Sequence, residues 1–230
     1  MNKSVSVFLP TRKGSQRIKN KNTRPFAEFK NGLLELKLNQ LMRVKLISEI
    51  VLSTNDEDSL NIAYAMSRQC SKLKIDHRPD NLASNTTNLI DLVTYVPKVT
   101  NSDHLLWTHV TSPFVDSADY DQAIEQYFQA CEQGNDSLMS VKPFNNFLWS
   151  KEKGDLINRC TPQRWPRTQD LMELFEIDSA IFIAPRKVYE QQNDRVGHNP
   201  FLYQLGGIKS FDIDWEDDFI IAEALYEKLF

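Results

Sequence analysis

The chain has 230 residues, 41% hydrophobic and 25% charged, with a net charge of −4. A chain of this length buries a full core without help from disulfides or metals, and its acidic balance excludes a general attraction to nucleic acid or to an anionic membrane. The three cysteines, Cys70, Cys131 and Cys160, lie far apart and lack metal-ligand spacing. They read as reduced thiols of a cytoplasmic protein, two of them core fillers. No apolar run reaches the length of a membrane span, and no leader-type apolar core opens the chain.

Residues 5–9 (VSVFL) form a short apolar run that stops at Pro10, the pattern of a buried first strand. A helix is predicted over 33–47, with Leu34, Leu38, Leu41 and Met42 on one face. A strand follows at 50–53. The next helix, at 56–68, carries acidic residues in its first turn, where the helix dipole favours them. Leu89, Leu92, Val93 and Val96 repeat at helical spacing, and 104–110 (HLLWTHV) reads as a strand. The clearest helix spans 116–132, where Tyr120, Ala123, Ile124, Tyr127, Phe128 and Cys131 make one stripe. Strands are predicted at 137–141 and 180–184. A last helix runs over 215–229, with Phe219, Ala222, Leu225 and Leu229 facing inward. This alternation predicts a single α/β domain over 1–230, with a doubly wound, mostly parallel sheet covered on both faces. Segment 143–177 breaks the rhythm and reads as a small inserted β arm. Phe147, Trp165 and Tyr203, in or near it, suit either a contact between copies or packing on the parent domain.

Doubly wound sheets bind ligands at the carboxyl ends of their strands. The segment leaving the first strand there, LPTRKGSQRIKNKN, places Arg12, Lys13, Arg17, Lys19 and Lys21 around Gly14 and Ser15. Backbone N–H groups and clustered cations of this kind cradle a polyphosphate. The loop is neither a P-loop nor a GxGxxG turn. Near the other end, Asp212 and Asp214 stand two residues apart on an extended stretch, so both side chains project the same way. Two hard carboxylates beside a triphosphate suit Mg²⁺, whose remaining ligands are water and phosphate. Alternatively Asp214 is the N-cap of the last helix, a role that leaves Asp212 unexplained.

The cationic loop resembles the N-terminal signature of the acylneuraminate cytidylyltransferase family, through Arg12, Gly14, Ser15, Arg17, Ile18, Lys21 and Asn22. LSTNDED at 52–58, RPDNLAS at 78–84, TSPF at 111–114 and FDIDWEDDF at 211–219 resemble further motifs of that family, in its order. The resemblance implies the nucleotide-diphospho-sugar transferase fold and CMP transfer from CTP to a sialic-acid-like sugar acid. It implies that Arg12 and Lys21 hold the triphosphate, with Gly14 and Ser15 beneath it. Asn22, Arg78 and Ser84 would contact the cytidine, and Asp212 and Asp214 would hold Mg²⁺. Gln163 and Arg164 would lie near the sugar and the contact between subunits of a homodimer. His109 stands where the family has a sugar-facing Gln, and Asp178-Ser179 stands where it has Asn-Gly, so His109 and Asp178 are expected substrate contacts. These departures fall in the sugar half and imply an unusual 2-keto-3-deoxy sugar acid. The alternatives are a 3-deoxy-octulosonic or amino-octulosonic acid as substrate, or a nucleotide-binding relative without catalysis.

Overall fold

A computed structural model describes residues 3–230. Nine strands and six α-helices follow one another: β1 (Val5–Pro10), α1 (Gly32–Met42), β2 (Glu49–Thr54), α2 (Glu57–Ser67), β3 (Leu73–His77), α3 (Leu89–Val99), β4 (His104–Trp107), α4 (Ser117–Glu132), β5 (Ser137–Phe144), β6 (Trp149–Ser150), β7 (Asp155–Leu156), β8 (Leu174–Pro185), α5 (Arg186–Gln192), β9 (Pro200–Gln204) and α6 (Glu216–Leu229). Seven strands form the main sheet in the order β3-β2-β1-β4-β8-β5-β9, while β6 and β7 pair as a separate hairpin. All pairs among β3, β2, β1 and β4 are parallel, as is β5 with β9; β8 runs antiparallel to both β4 and β5.

Alternating side chains feed two cores, as the pleat requires. Val5, Val7 and Leu9 of β1 join Ile50, Leu52, Leu106, Ile181 and Ile183 in a cluster with residues of α1, α2, α4 and α6. Phe8, Val51, Leu105, Trp107 and Phe182, on the opposite sheet face, pack with Val93 and Val96 of α3 and Val188 and Tyr189 of α5. This is the expected three-layer arrangement. Asp56 and Asp116 cap α2 and α4 through their side chains, which fixes both helix starts.

Several sequence expectations change in detail. Helix α1 stops at Met42, not at 47. In α6 the buried face is Phe219, Ala222 and Tyr226, whereas Leu225 and Leu229 are exposed. Phe26 decides this, meeting Phe219 and Tyr226 edge-on at 5.5 Å each. Tyr203 lies buried in β9, outside the arm. Only Cys131 packs against the core; Cys70 is half-exposed and Cys160 exposed. Three elements had no sequence prediction: the edge strands β3 and β9 and the seven-residue α5. Edge strands are half solvated and short helices span too few turns, so their apolar pattern is faint.

The inserted arm carries the β6–β7 hairpin, and its base extends β5 and β8 as a pair reaching Phe144 and Leu174. Phe147, Trp149 and Trp165 cluster on it, all exposed, with the two indoles stacked at 6.4 Å.

Candidate active site

Neighbours of β1 mark the topological switch: the chain turns one way into β2 and the other way into β4. A cavity of about 510 Å³ opens there. Its wall holds Pro10, Thr11, Arg12, Ser15, Gln16, Arg17, Lys21 and Asn22 from the cationic loop, Arg78 after β3, and Leu89 and Leu92 of α3. Trp107, His109, Val110 and Thr111 come from β4 and its exit, Ser179 from β8, and Asp212 and Asp214 from the segment before α6. Four of the five sequence motifs therefore supply residues to one cavity although they are up to two hundred residues apart.

The loop is held from several sides. Gly14 takes a left-handed backbone, φ +79°, which a glycine adopts without strain. The amide of Lys13 donates to Asn55 Oδ1 at 3.1 Å, and Asn22 Nδ2 to the Arg12 carbonyl at 3.4 Å. Arg12 donates to Asn85 Oδ1. Arg78, 5% exposed, donates to the Thr11 carbonyl at the exit of β1; burial lowers its pKa to about 10.

Opposite the loop, Asp212-Ile213-Asp214 is extended, with Ile213 fully buried between the carboxylates. The Ile213 amide donates to the Thr111 carbonyl at 3.0 Å, and Lys21 Nζ donates to the Ile213 carbonyl at 2.9 Å. One ammonium thus ties the cationic loop to the acidic segment. Burial pulls the Lys21 pKa down, and Asp214 and Asp212 oppose that shift. Burial raises the Asp212 carboxyl above the ordinary carboxylate range, against a hydrogen bond from Thr111, and Asp214 adds to the rise. Asp212 Oδ1 is buried with no hydrogen-bond partner, and Asp214 forms an ion pair with Arg17 at 3.1 Å. The helix-cap alternative for Asp214 does not hold: the Asp218 carboxylate accepts from the Asp214 and Trp215 amides at 3.0 and 2.7 Å.

Two carboxylates on the wall of a cationic cavity, one with an unpartnered oxygen, fit a hard divalent ion. The described residues contain no cluster of three or more His, Cys, Asp or Glu side chains able to hold a metal, and Asp212 and Asp214 are the two carboxylates on the cavity wall. Mg²⁺ accepts such a pair because it retains water and takes phosphate oxygens.

Behind this corner, Lys37 is fully buried and donates to the carbonyls of Ser112 and Val115 and to the Tyr120 hydroxyl at 2.8, 3.0 and 3.0 Å. It thereby holds the TSPF turn whose Thr111 carries Ile213. Burial lowers its pKa to about 7.

Not every expected residue reaches the cavity. Gly14 supports the loop but does not line the wall. Ser84 is exposed and bonds Thr86 and Thr87; its neighbour Asn85 touches Arg12 instead. Gln163 and Arg164 sit exposed on the arm, away from the wall. Asp178 is 4% exposed and accepts from Ser140 Oγ and the Ala180 amide. Both bonds lie inside a β-bulge, where the β5–β8 register shifts between Met139 and Val141. Asp178 thus shapes the strand and does not line the cavity. The bulge turns Ser179 to the cavity at φ +61°. Sequence reasoning placed Arg17 in the cationic cradle but missed Thr11, Trp107 and Ser179 as wall residues. Only the Asn-Gly to Asp178-Ser179 departure signalled any of these, through a backbone that favours glycine.

A family model described as Cytidylyltransferase matches residues 6–151. A pseudaminic acid cytidylyltransferase of Campylobacter jejuni is 22% identical over 224 residues, 96% of this chain and 95% of that protein. An N-acylneuraminate cytidylyltransferase of Streptococcus agalactiae is 25% identical over 144 residues, 62% of this chain and 35% of that protein. Among solved structures, a CMP:2-keto-3-deoxy-manno-octonic acid synthetase complexed with CTP superposes with a TM-score of 0.67 at 12% identity, covering 99% and 100% of the two chains. A 4-diphosphocytidyl-2C-methyl-D-erythritol synthase from Anaerococcus prevotii gives 0.68 at 15% identity, covering 97% and 98%. The family model takes in the cationic loop, the RPDNLAS and TSPF segments and the first five strands of the main sheet, more than half of the chain, so the protein belongs to the cytidylyltransferase family and is a nucleotidyltransferase.

Proposed function

We propose that this enzyme joins CMP from CTP to the anomeric hydroxyl of a 2-keto-3-deoxy sugar acid and releases pyrophosphate. The observation that carries the reading is the single cavity in which Arg12, Arg17 and Lys21 face Asp212 and Asp214. Support for the sugar class comes from the whole-length likeness to a pseudaminic acid enzyme. In this reading Arg12, Arg17 and Lys21 bind the triphosphate and neutralise the departing pyrophosphate. Asn22 and Arg78 meet the cytidine, with Ser84 outside the contact. Asp212 and Asp214 would hold Mg²⁺, which would polarise the phosphoryl oxygens. Positioning the acceptor hydroxyl in line with the α-phosphorus completes the catalysis.

The exposed Phe147–Trp149–Trp165 cluster suits a contact between two copies through the arms. Gln163 and Arg164 would then approach the partner's site instead of their own. No helix among the described residues is long and apolar enough to cross a membrane, and the reading puts the enzyme in the cytoplasm, where CTP is available.

The test is pyrophosphate release from CTP and Mg²⁺ with pseudaminic, legionaminic, N-acetylneuraminic and 3-deoxy-octulosonic acids. Turnover of at least one acid is expected. Release with none of them, or with an acceptor that lacks a carboxylate such as methylerythritol phosphate, would overturn the reading. Sedimentation of Trp149→Ser/Trp165→Ser tests the arm: the double variant is expected as a monomer and the parent as a dimer.

A further inference from the structure

His109 is the cavity residue whose chemistry the triphosphate reading leaves unused. It sits at the exit of β4, partly exposed to the cavity. Trp107 Nε1 meets His109 Nε2 at 3.1 Å. An indole nitrogen only donates, so Nε2 is the acceptor and, in the neutral ring, the proton belongs on Nδ1. That nitrogen has no partner among the described residues, yet it is not among the sealed unpartnered atoms. Its free N–H therefore has the cavity to donate into.

The surroundings keep this ring neutral. Burial pushes its pKa down to about 3, and the charges of Arg195 and Lys21 push the same way. Arg195 is half-buried behind Trp107, with its guanidinium 5.1 Å from the Trp107 ring centre and 3.8 Å from that of Phe182. Its side chain forms no ion pair or hydrogen bond among the described residues. Asp178, the one acidic group expected here, is turned into the β-bulge and lines no part of the wall. The corner thus offers a donor and two nearby positive charges.

We propose that His109 is a specificity-determining residue that donates its Nδ1–H to the carboxylate of the sugar acid, in the positive field of Arg195 and Lys21. Arg195 acts through Trp107 as a positioning residue. This assignment rests on the sugar-acid reading above and adds to it which group of the substrate is recognised, and by what. It also removes His109 from general-base duty, since its one free nitrogen already carries the proton.

The test compares steady-state constants of the parent enzyme, His109→Phe and His109→Gln, with the best acid of the panel and with its methyl ester. Loss of a hydrogen bond to a charged group corresponds to about a ten- to hundredfold rise in KM. His109→Phe is expected to raise KM for the acid by that factor and to leave KM for CTP within about twofold. His109→Gln, which keeps an N–H donor, should recover most of the loss. With the ester, the parent should already be impaired and His109→Phe should add nothing. An equal effect of His109→Phe on acid and ester, or an effect on CTP in place of the sugar, would overturn the proposal while leaving the cytidylyl-transfer reading intact. So would an inflection near pH 6.5 in the parent's KM for the acid that vanishes in His109→Gln. A parent enzyme that turns over no sugar acid overturns both.

Discussion

Replacing Asp212 by Ala should separate stability from activity. In the folded protein the Asp212 carboxyl has one oxygen buried and unpartnered, which costs about 1–3 kcal/mol. On the other side of the balance stand a hydrogen bond from Thr111 and the smaller contributions of Lys21 and the Ile213 amide, together about 1 kcal/mol. Removing the carboxyl is therefore expected to stabilise the chain by about 1 kcal/mol, or about 2–4 °C in the midpoint of a domain this size. The effect should depend on pH with a definite sign. Burial raises the carboxyl's pKa in the folded state, so between the unfolded value and that higher one, folding takes up a proton. The parent becomes more stable as pH falls through that window. The advantage of Asp212→Ala should be largest near pH 7 and shrink as pH approaches about 4. Turnover should fall about 10³-fold or more, since a group meeting charge in the transition state is lost. Thermal melts at several pH values, paired with pyrophosphate release, measure both. A variant that melts below the parent at pH 7 and retains activity with Mg²⁺ would refute the reasoning on each count.

Arg17→Ala should leave stability within about 1 kcal/mol, because its pair with Asp214 is half-exposed, yet raise KM for CTP about tenfold; an unchanged KM would remove Arg17 from the triphosphate site. Ser179→Gly should stabilise the chain by about 1 kcal/mol, since Ser179 holds φ +61°; denaturant titration checks the sign. Phe26→Ala should cost about 3–5 kcal/mol, because this fully buried ring carries α6 through Phe219 and Tyr226; a loss below about 1 kcal/mol would contradict that packing. Chelation with EDTA should abolish pyrophosphate release and added Mg²⁺ restore it; undiminished activity in chelator would sink the assignment of Asp212 and Asp214.

The alternation of β1, α1, β2, α2, α3, β4, α4 and β5 was legible because each element buries a whole face and so repeats its apolar residues at a fixed period. The cationic loop and the Asp212/Asp214 pair were legible for a related reason: local charge and spacing express their chemistry directly. Residues whose role depends on a distant partner were not. Asp178 looked like a substrate contact until the β5–β8 bulge turned it toward Ser140. Ser84 matched a motif, while its neighbour Asn85 makes the contact with Arg12. Nothing in the sequence marks Lys37, and only the packing of α1 on the TSPF turn makes it a buried staple.

Local sequence thus determined the layer architecture, the cationic loop after β1 and the paired carboxylates at 212 and 214, since each follows from periodicity or from neighbouring charges. Tertiary structure alone decided which face of α6 is buried, which residues line the cavity beside the loop, and that the His109 ring presents a donor. Those outcomes depend on groups brought together across the chain: Phe26 against α6, Lys21 against Ile213, and Trp107 with Arg195 around one imidazole.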